Sequence, residues 1–108
     1  MTGPAMHRKP LSGPRGRRVV LHRVEIRRLL EKHGYTEPEI FGSVARGDDG
    51  ANSDIDILVD VPSGTSLLDI IGVQIGLEDL LGCSVDLVPR KDLKPRVRAR
   101  AVNDLMPL

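Results

Sequence analysis

Two short runs carry the residue types that could do chemistry: Gly42-Ser43 and, after ten intervening residues, Asp54-Ile55-Asp56. From Asp54 to Asp60 acids alternate with branched apolar residues at the period of a β-strand. Asp54 and Asp56 therefore share one face, with Cα atoms roughly 6.5 to 7 Å apart, so their carboxylates can converge on a divalent ion or an ion pair. Ile55, Ile57 and Leu58 are assigned to packing. Two ionised carboxylates side by side repel each other, and an apolar strand offers no compensation. A bound cation does, and Mg²⁺ is the expected occupant. Taken alone, this run also fits an acidic edge strand that discourages aggregation; the upstream Gly-Ser favours the metal reading.

Phe41-Gly42-Ser43-Val44-Ala45-Arg46-Gly47 reads as a strand end, a tight turn and the first turn of a helix. Gly42 lets backbone approach a ligand closely, while the unpaired N–H groups of a helix start and the Ser43 hydroxyl suit phosphate oxygens. Arg46 either adds a charge-assisted phosphate contact, the preferred reading, or pairs with Asp48 or Asp49. The polar loop from Asp48 to Ser53 is long enough to return the chain antiparallel and set the two acids beside the turn. A third acid, Asp86, alternates with apolar neighbours in Ser84-Val85-Asp86-Leu87-Val88, which predicts a neighbouring strand. Three acids can frame two ions roughly 3.5 to 4 Å apart, the arrangement that drives in-line nucleotidyl transfer. Asp86 would sit nearest the attacking hydroxyl.

The elements that must hold these residues are marked by punctuation and period. Val19, His22, Ile26, Leu29, Leu30 and His33 form a helical stripe that predicts one helix from about Val19 to His33, stopped by Gly34. Glu39-Ile40-Phe41 is the first strand and Asp54 to Asp60 the second. Ser66 and Asp69 form a capping box for a helix from about Leu67 to Leu81, with Gly82 beyond its end. Leu67, Ile70, Ile71, Leu77 and Leu81 mark its core face, yet Leu68, Val73, Ile75 and Leu80 make it apolar almost all round, which implies deep burial or a partner. Pro95 opens a last helix reaching about Leu105. His22 and His33, eleven residues apart, are assigned to boundary packing rather than to a metal.

Phe41 to Gly47 followed by Ser53-Asp54-Ile55-Asp56-Ile57-Leu58-Val59 closely resembles the minimal nucleotidyltransferases of the DNA polymerase β superfamily, over most of residues 19 to 108. The resemblance implies an α+β fold, a short mixed sheet with helices packed on it. By position, Gly42 and Ser43 match the triphosphate-binding turn, Asp54 and Asp56 the metal ligands, and Asp86 the third acid. Small proteins of this type are often antitoxins paired with a HEPN-domain ribonuclease toxin. The resemblance therefore implies Mg²⁺-dependent transfer of AMP from ATP, or of another nucleotide from its triphosphate, to a tyrosine of that toxin, with two ions at the site. Transfer to a small molecule or an RNA end, and a non-catalytic antitoxin that binds through the Leu67 to Leu81 helix, are the alternatives.

Composition narrows the field. The 108 residues fit one domain. With one tyrosine, one phenylalanine and no tryptophan, stacking platforms for single strands are nearly absent, which argues against direct nucleic-acid binding. The net charge of +1 hides a distribution of +5 over residues 1–18, −8 over 19–89 and +4 over 90–108. An acidic centre between basic ends suits metal ions within and phosphates or an acidic partner outside. Residues 1–17, rich in proline, glycine and basic side chains, read as a flexible basic tail before a nucleotidyltransferase domain of residues 18–108. One cysteine permits no intramolecular disulfide, and no run approaches a membrane span, so a soluble cytoplasmic protein is expected.

Overall fold

The structure, a computed structural model, describes residues 9–108. Its elements are helices α1 (Pro14–Leu21) and α2 (Arg23–Lys32), strand β1 (Thr36–Phe41), the short helix α3 (Gly42–Arg46), strand β2 (Ile55–Asp60), helix α4 (Leu67–Leu81) and strand β3 (Val85–Pro89). A 3-10 turn (Arg90–Asp92), helix α5 (Pro95–Ala101) and the two-residue strand β4 (Met106–Pro107) complete it. The four strands form one mixed sheet in the order β3-β2-β1-β4. β1 runs antiparallel to β2 and β4, and β2 runs parallel to β3, the two joined by the α4 crossover. This is the expected α+β fold with a short mixed sheet and helices packed on it.

One face of the sheet is covered by α1, α2 and α4. Ile40, Ile55, Ile57, Val59, Val85 and Leu87 meet Val19, Ile26, Leu30, Val73, Leu77 and Leu81 in the main core. The opposite face carries a smaller cluster of Phe41, Leu58, Leu93 and Ala101. β2 thus lies inside the sheet with both faces covered, which removes the acidic edge strand as an account of its carboxylates. Ile55 and Ile57 pack as expected. Leu58 packs too, but on the acid-bearing face.

Helix α4 has the bounds and cap read from the sequence: Ser66 Oγ accepts from the Asp69 N–H at 3.1 Å, and Asp69 Oδ2 accepts from the Ser66 N–H at 3.0 Å. Its core face is Val73, Leu77 and Leu81: Leu67 and Ile71, expected on that face, are exposed together with Leu68 and Ile75, whereas Val73, counted among the excess, is buried. Gly76 allows α2 close, since a Cβ there would press on Leu29.

Three elements differ from the expectation. The stripe from Val19 to His33 breaks at His22, which ends α1 and starts α2. Val19 and Ile26 lie seven residues apart and still face the core on either side of the break, so the period alone does not reveal it. The last helix stops at Ala101 rather than near Leu105, because the following residues turn to pair with β1 through Met106 and Pro107. Proline suits this edge position, where no ladder donor is needed.

The flexible tail of residues 1–17 is corrected over its second half, the first eight residues lying outside the described ones. Leu11 and Gly16 are buried, and α1 begins at Pro14. What orders this stretch is distant in sequence. Asp49 Oδ2 accepts from the N–H groups of Arg15 at 2.7 Å and Gly16 at 3.3 Å, and so serves as the missing N-terminal cap of α1. The Arg15 guanidinium also donates to the carbonyls of Ser53, at 3.2 Å, and Ala51. Asp49→Ala is expected to cost about 2 kcal/mol by leaving these buried donors unpaired, read as a lowered urea midpoint at unchanged slope.

Candidate active site

Strand register brings the predicted acids together. Phe41 pairs with Asp56 across β1 and β2, and Asp56 with Asp86 across β2 and β3. Directly opposed residues point to the same face, so Phe41, Asp56 and Asp86 form one row across the sheet. Asp54 lies just before the start of β2, two residues from Asp56, and is exposed like Asp86, whereas Asp56 is half-buried. The next row on this face consists of Glu39, Leu58 and Val88.

Gly42 and Ser43 follow Phe41 as the first residues of α3. Gly42 has φ +75°, a conformation that a side chain disfavours, and a Cβ there would overlap Asp56 Oδ2. The backbone of the turn therefore rests against the carboxylate of the central acid. A phosphate-suited turn and metal-suited acids are adjacent, as the antiparallel return through residues 48–53 requires.

The electrostatics of Asp56 follow from this position. Burial first, then the neighbouring charges of Asp86 and Asp54, push its carboxyl up from 3.8 to about 6, with Arg46 opposing. The folded chain then holds a proton that the unfolded chain has released between these two values, so stability is full below about pH 4 and falls as pH rises through about 6. For a half-buried group the loss is on the order of 1 to 2 kcal/mol after solvent screening. Urea unfolding at pH 4.5 and pH 7.5 measures it, and Asp56→Asn should flatten the difference.

The same features test the fit of a divalent cation. Oxygen donors of like charge crowd a half-buried carboxylate whose ionisation is opposed by its neighbours, and hard cations take such oxygens. Among the described residues no group of three His, Cys, Asp or Glu side chains is drawn close enough to form a metal cage by itself. An ion bound by one or two carboxylates plus phosphate oxygens, the usual habit of Mg²⁺, suits this open set.

Arg46 is engaged differently from the preferred expectation. It pairs with Asp48 at 3.2 Å and with Asp104 at 3.0 Å, so contact with a phosphate would require it to leave these carboxylates. Asp49, the other partner considered for Arg46, caps α1 instead. Asp60, at the far end of β2, pairs with Arg90, which also holds Glu39 at 2.6 Å. Asp104 carried no sequence signal, since it meets Arg46 only through the fold.

Residues 24–106 match the nucleotidyltransferase domain. The chain belongs to that family, as one of its minimal members, and is a nucleotidyltransferase by class. A Methanocaldococcus jannaschii protein assigned as a protein adenylyltransferase is 41% identical over 76 residues, covering 70% of this chain and 82% of the relative. Protein adenylyltransferase MntA of Thermococcus cleftensis is 39% identical over 88 residues, covering 82% and 86%. A solved structure assigned as a minimal nucleotidyltransferase superposes with a TM-score of 0.74 at 38% identity, over 83% of this chain and 92% of the other. A chain of the toxin–antitoxin complex MntA-HepT superposes at 0.65 and 22% identity, over 82% and 69%, a likeness of fold alone. Among the described residues no helix is long and apolar enough to cross a membrane.

Proposed function

We propose that this chain transfers AMP from ATP to a tyrosine hydroxyl of a partner HEPN toxin and acts as its antitoxin, with Mg²⁺ at the acids. The observation that carries this reading is the placement of Asp56 against Gly42 and in register with Asp86. Two relatives above 35% identity that bear the name protein adenylyltransferase support the reaction class. When bound, the two ions would supply charge neutralisation at the transferred phosphoryl group. Asp54 and Asp56 would hold them together with Asp86, and the α3 turn with the Ser43 hydroxyl would orient the β and γ phosphates. Asp86, exposed at the edge of the row, would take the acceptor proton. Arg46 is kept as a phosphate ligand only in exchange for Asp48 and Asp104.

The acceptor belongs to another molecule. Tyr35, the chain's single tyrosine, is buried at 2% exposure and unsuited to modification. The test is incubation of the purified chain with α-labelled ATP, Mg²⁺ and the product of the neighbouring reading frame. Label on a partner tyrosine with wild type and none with Asp56→Asn is the expected result; an unlabelled partner counts against the reading.

A masking role has its own observation. Leu67 and Leu68 are 71% and 80% exposed on α4, beside Ile71 and Ile75, a face suited to an apolar partner surface. Toxin neutralised by an Asp54/Asp56 doubly substituted chain would favour masking over modification.

A further inference from the structure

The geometry points to a cavity beneath α5 as the pocket that receives the aromatic ring of the acceptor, an inference that rests on the adenylyl-transfer reading above and names where its second substrate enters. The cavity has a volume of about 260 Å³ and is lined by Leu58, Leu93, Ala101, Val102 and Leu105, with Arg90 and Arg98 at its polar side. Its floor, Leu58, belongs to the row of the sheet next to that of Asp56 and Asp86, on the same face, roughly 7 Å along the strand. The cavity therefore lies one row of the sheet from the acids, none of which lines it.

Its direction from the acids decides the occupant. Along this face the order is the Gly42-Ser43 turn, then the row of Asp56 and Asp86, then the row of Leu58 and Val88. In an in-line displacement the leaving pyrophosphate and the attacking oxygen lie on opposite sides of the α-phosphorus. With the β and γ phosphates at the turn, the attacking group arrives from the side of Leu58. A phenol suits that approach: an apolar ring packs among leucine, valine and alanine side chains, and its hydroxyl extends toward Asp86. The phenolic oxygen forms the new bond to the α-phosphorus. The bond from that phosphorus to the bridging oxygen breaks, pyrophosphate leaves with the electron pair, and the phenolic proton passes to the Asp86 carboxylate. The wall opposite is held in place, since Arg90 is bound to Asp60 and Glu39 and its carbonyl accepts from Arg98 at 3.3 Å.

Val102 is 59% exposed at the cavity, so a larger side chain there obstructs the cavity without disturbing the core. With the partner protein as acceptor, Val102→Trp is expected to raise the KM for the acceptor at least tenfold while the KM for ATP stays within twofold. Unchanged values for both, or a rise confined to ATP, overturn the inference. A second measurement does not depend on transfer. Methyl resonances of Leu58, Leu93, Val102 and Leu105 should shift on titration with N-acetyl-L-tyrosinamide, and not with a non-hydrolysable ATP analogue and Mg²⁺ alone. Shifts caused by the analogue instead would make the cavity a nucleobase site, and absence of shifts with tyrosinamide overturns the inference as well. If wild type leaves the partner unlabelled, the adenylyl-transfer reading fails, while the titration still decides what the cavity binds.

Discussion

Asp56→Asn is expected to lower the proposed adenylyl transfer by about 10³-fold or more and at the same time to make the folded chain more stable at neutral pH. Both effects come from one carboxylate. Its charge is opposed by burial and by Asp86 and Asp54, which is the source of its elevated value of about 6. Asparagine keeps the shape and removes the repulsion, so thermal unfolding at pH 7.5 should move upward by a few degrees. On the proposed reading, a cation ligand would be lost with the charge. Transfer measured with labelled ATP and stability measured on the same preparation separate this outcome from simple misfolding. A variant that keeps its rate, or loses it only because it unfolds, removes Asp56 from the chemistry.

Gly42→Ala is the second large effect. Alanine at φ +75° costs about 1 to 2 kcal/mol in backbone strain. Its Cβ must also displace the Asp56 carboxylate it would overlap. A misplacement of about 1 Å at a reacting centre can cost 10²-fold, so transfer should fall by at least that factor, with a lowered unfolding temperature. Loss of rate in a chain that still gives one cooperative transition is the decisive pattern. A wild-type rate would show that the turn and the acid do not act together.

What could be read in the sequence was local. Helix α4 was legible to the residue because Ser66, Asp69 and Gly82 are signals that act within one turn of the chain. The row of acids was legible because a period of two fixes which side chains share a face, and because the polar loop after Gly47 has only one convenient way to return. The period sets Leu58 on the face of Asp54 and Asp56, and nothing local says that it packs there as the floor of a cavity near the acids, since Leu93, Ala101 and Leu105 come from far along the chain.

The unread parts were set by contacts distant in sequence. The pairing of β4 with β1 rests on two residues, too few for any period to show. Asp104 reaches Arg46 across 58 positions, and Asp49 reaches Arg15 across 34. Composition pointed the wrong way for residues 9–17, because proline and glycine there serve as a first helical residue and as sites of close approach. A Cβ on Gly13 would collide with Asp49, and one on Gly16 with the backbone of Leu11.

The cap that Asp49 gives to α1 ties the beginning of the fold to the segment that delivers Asp54. A protein trimmed to begin at residue 18, the boundary that composition invites, would lose Arg15 and Gly16, and with them two guanidinium contacts to carbonyls and two amide contacts to Asp49 in that segment. The entry to the acid row would be freed at its upstream end. Shortening the chain at a distance would in this way loosen the row of acids itself, although none of its residues had been touched.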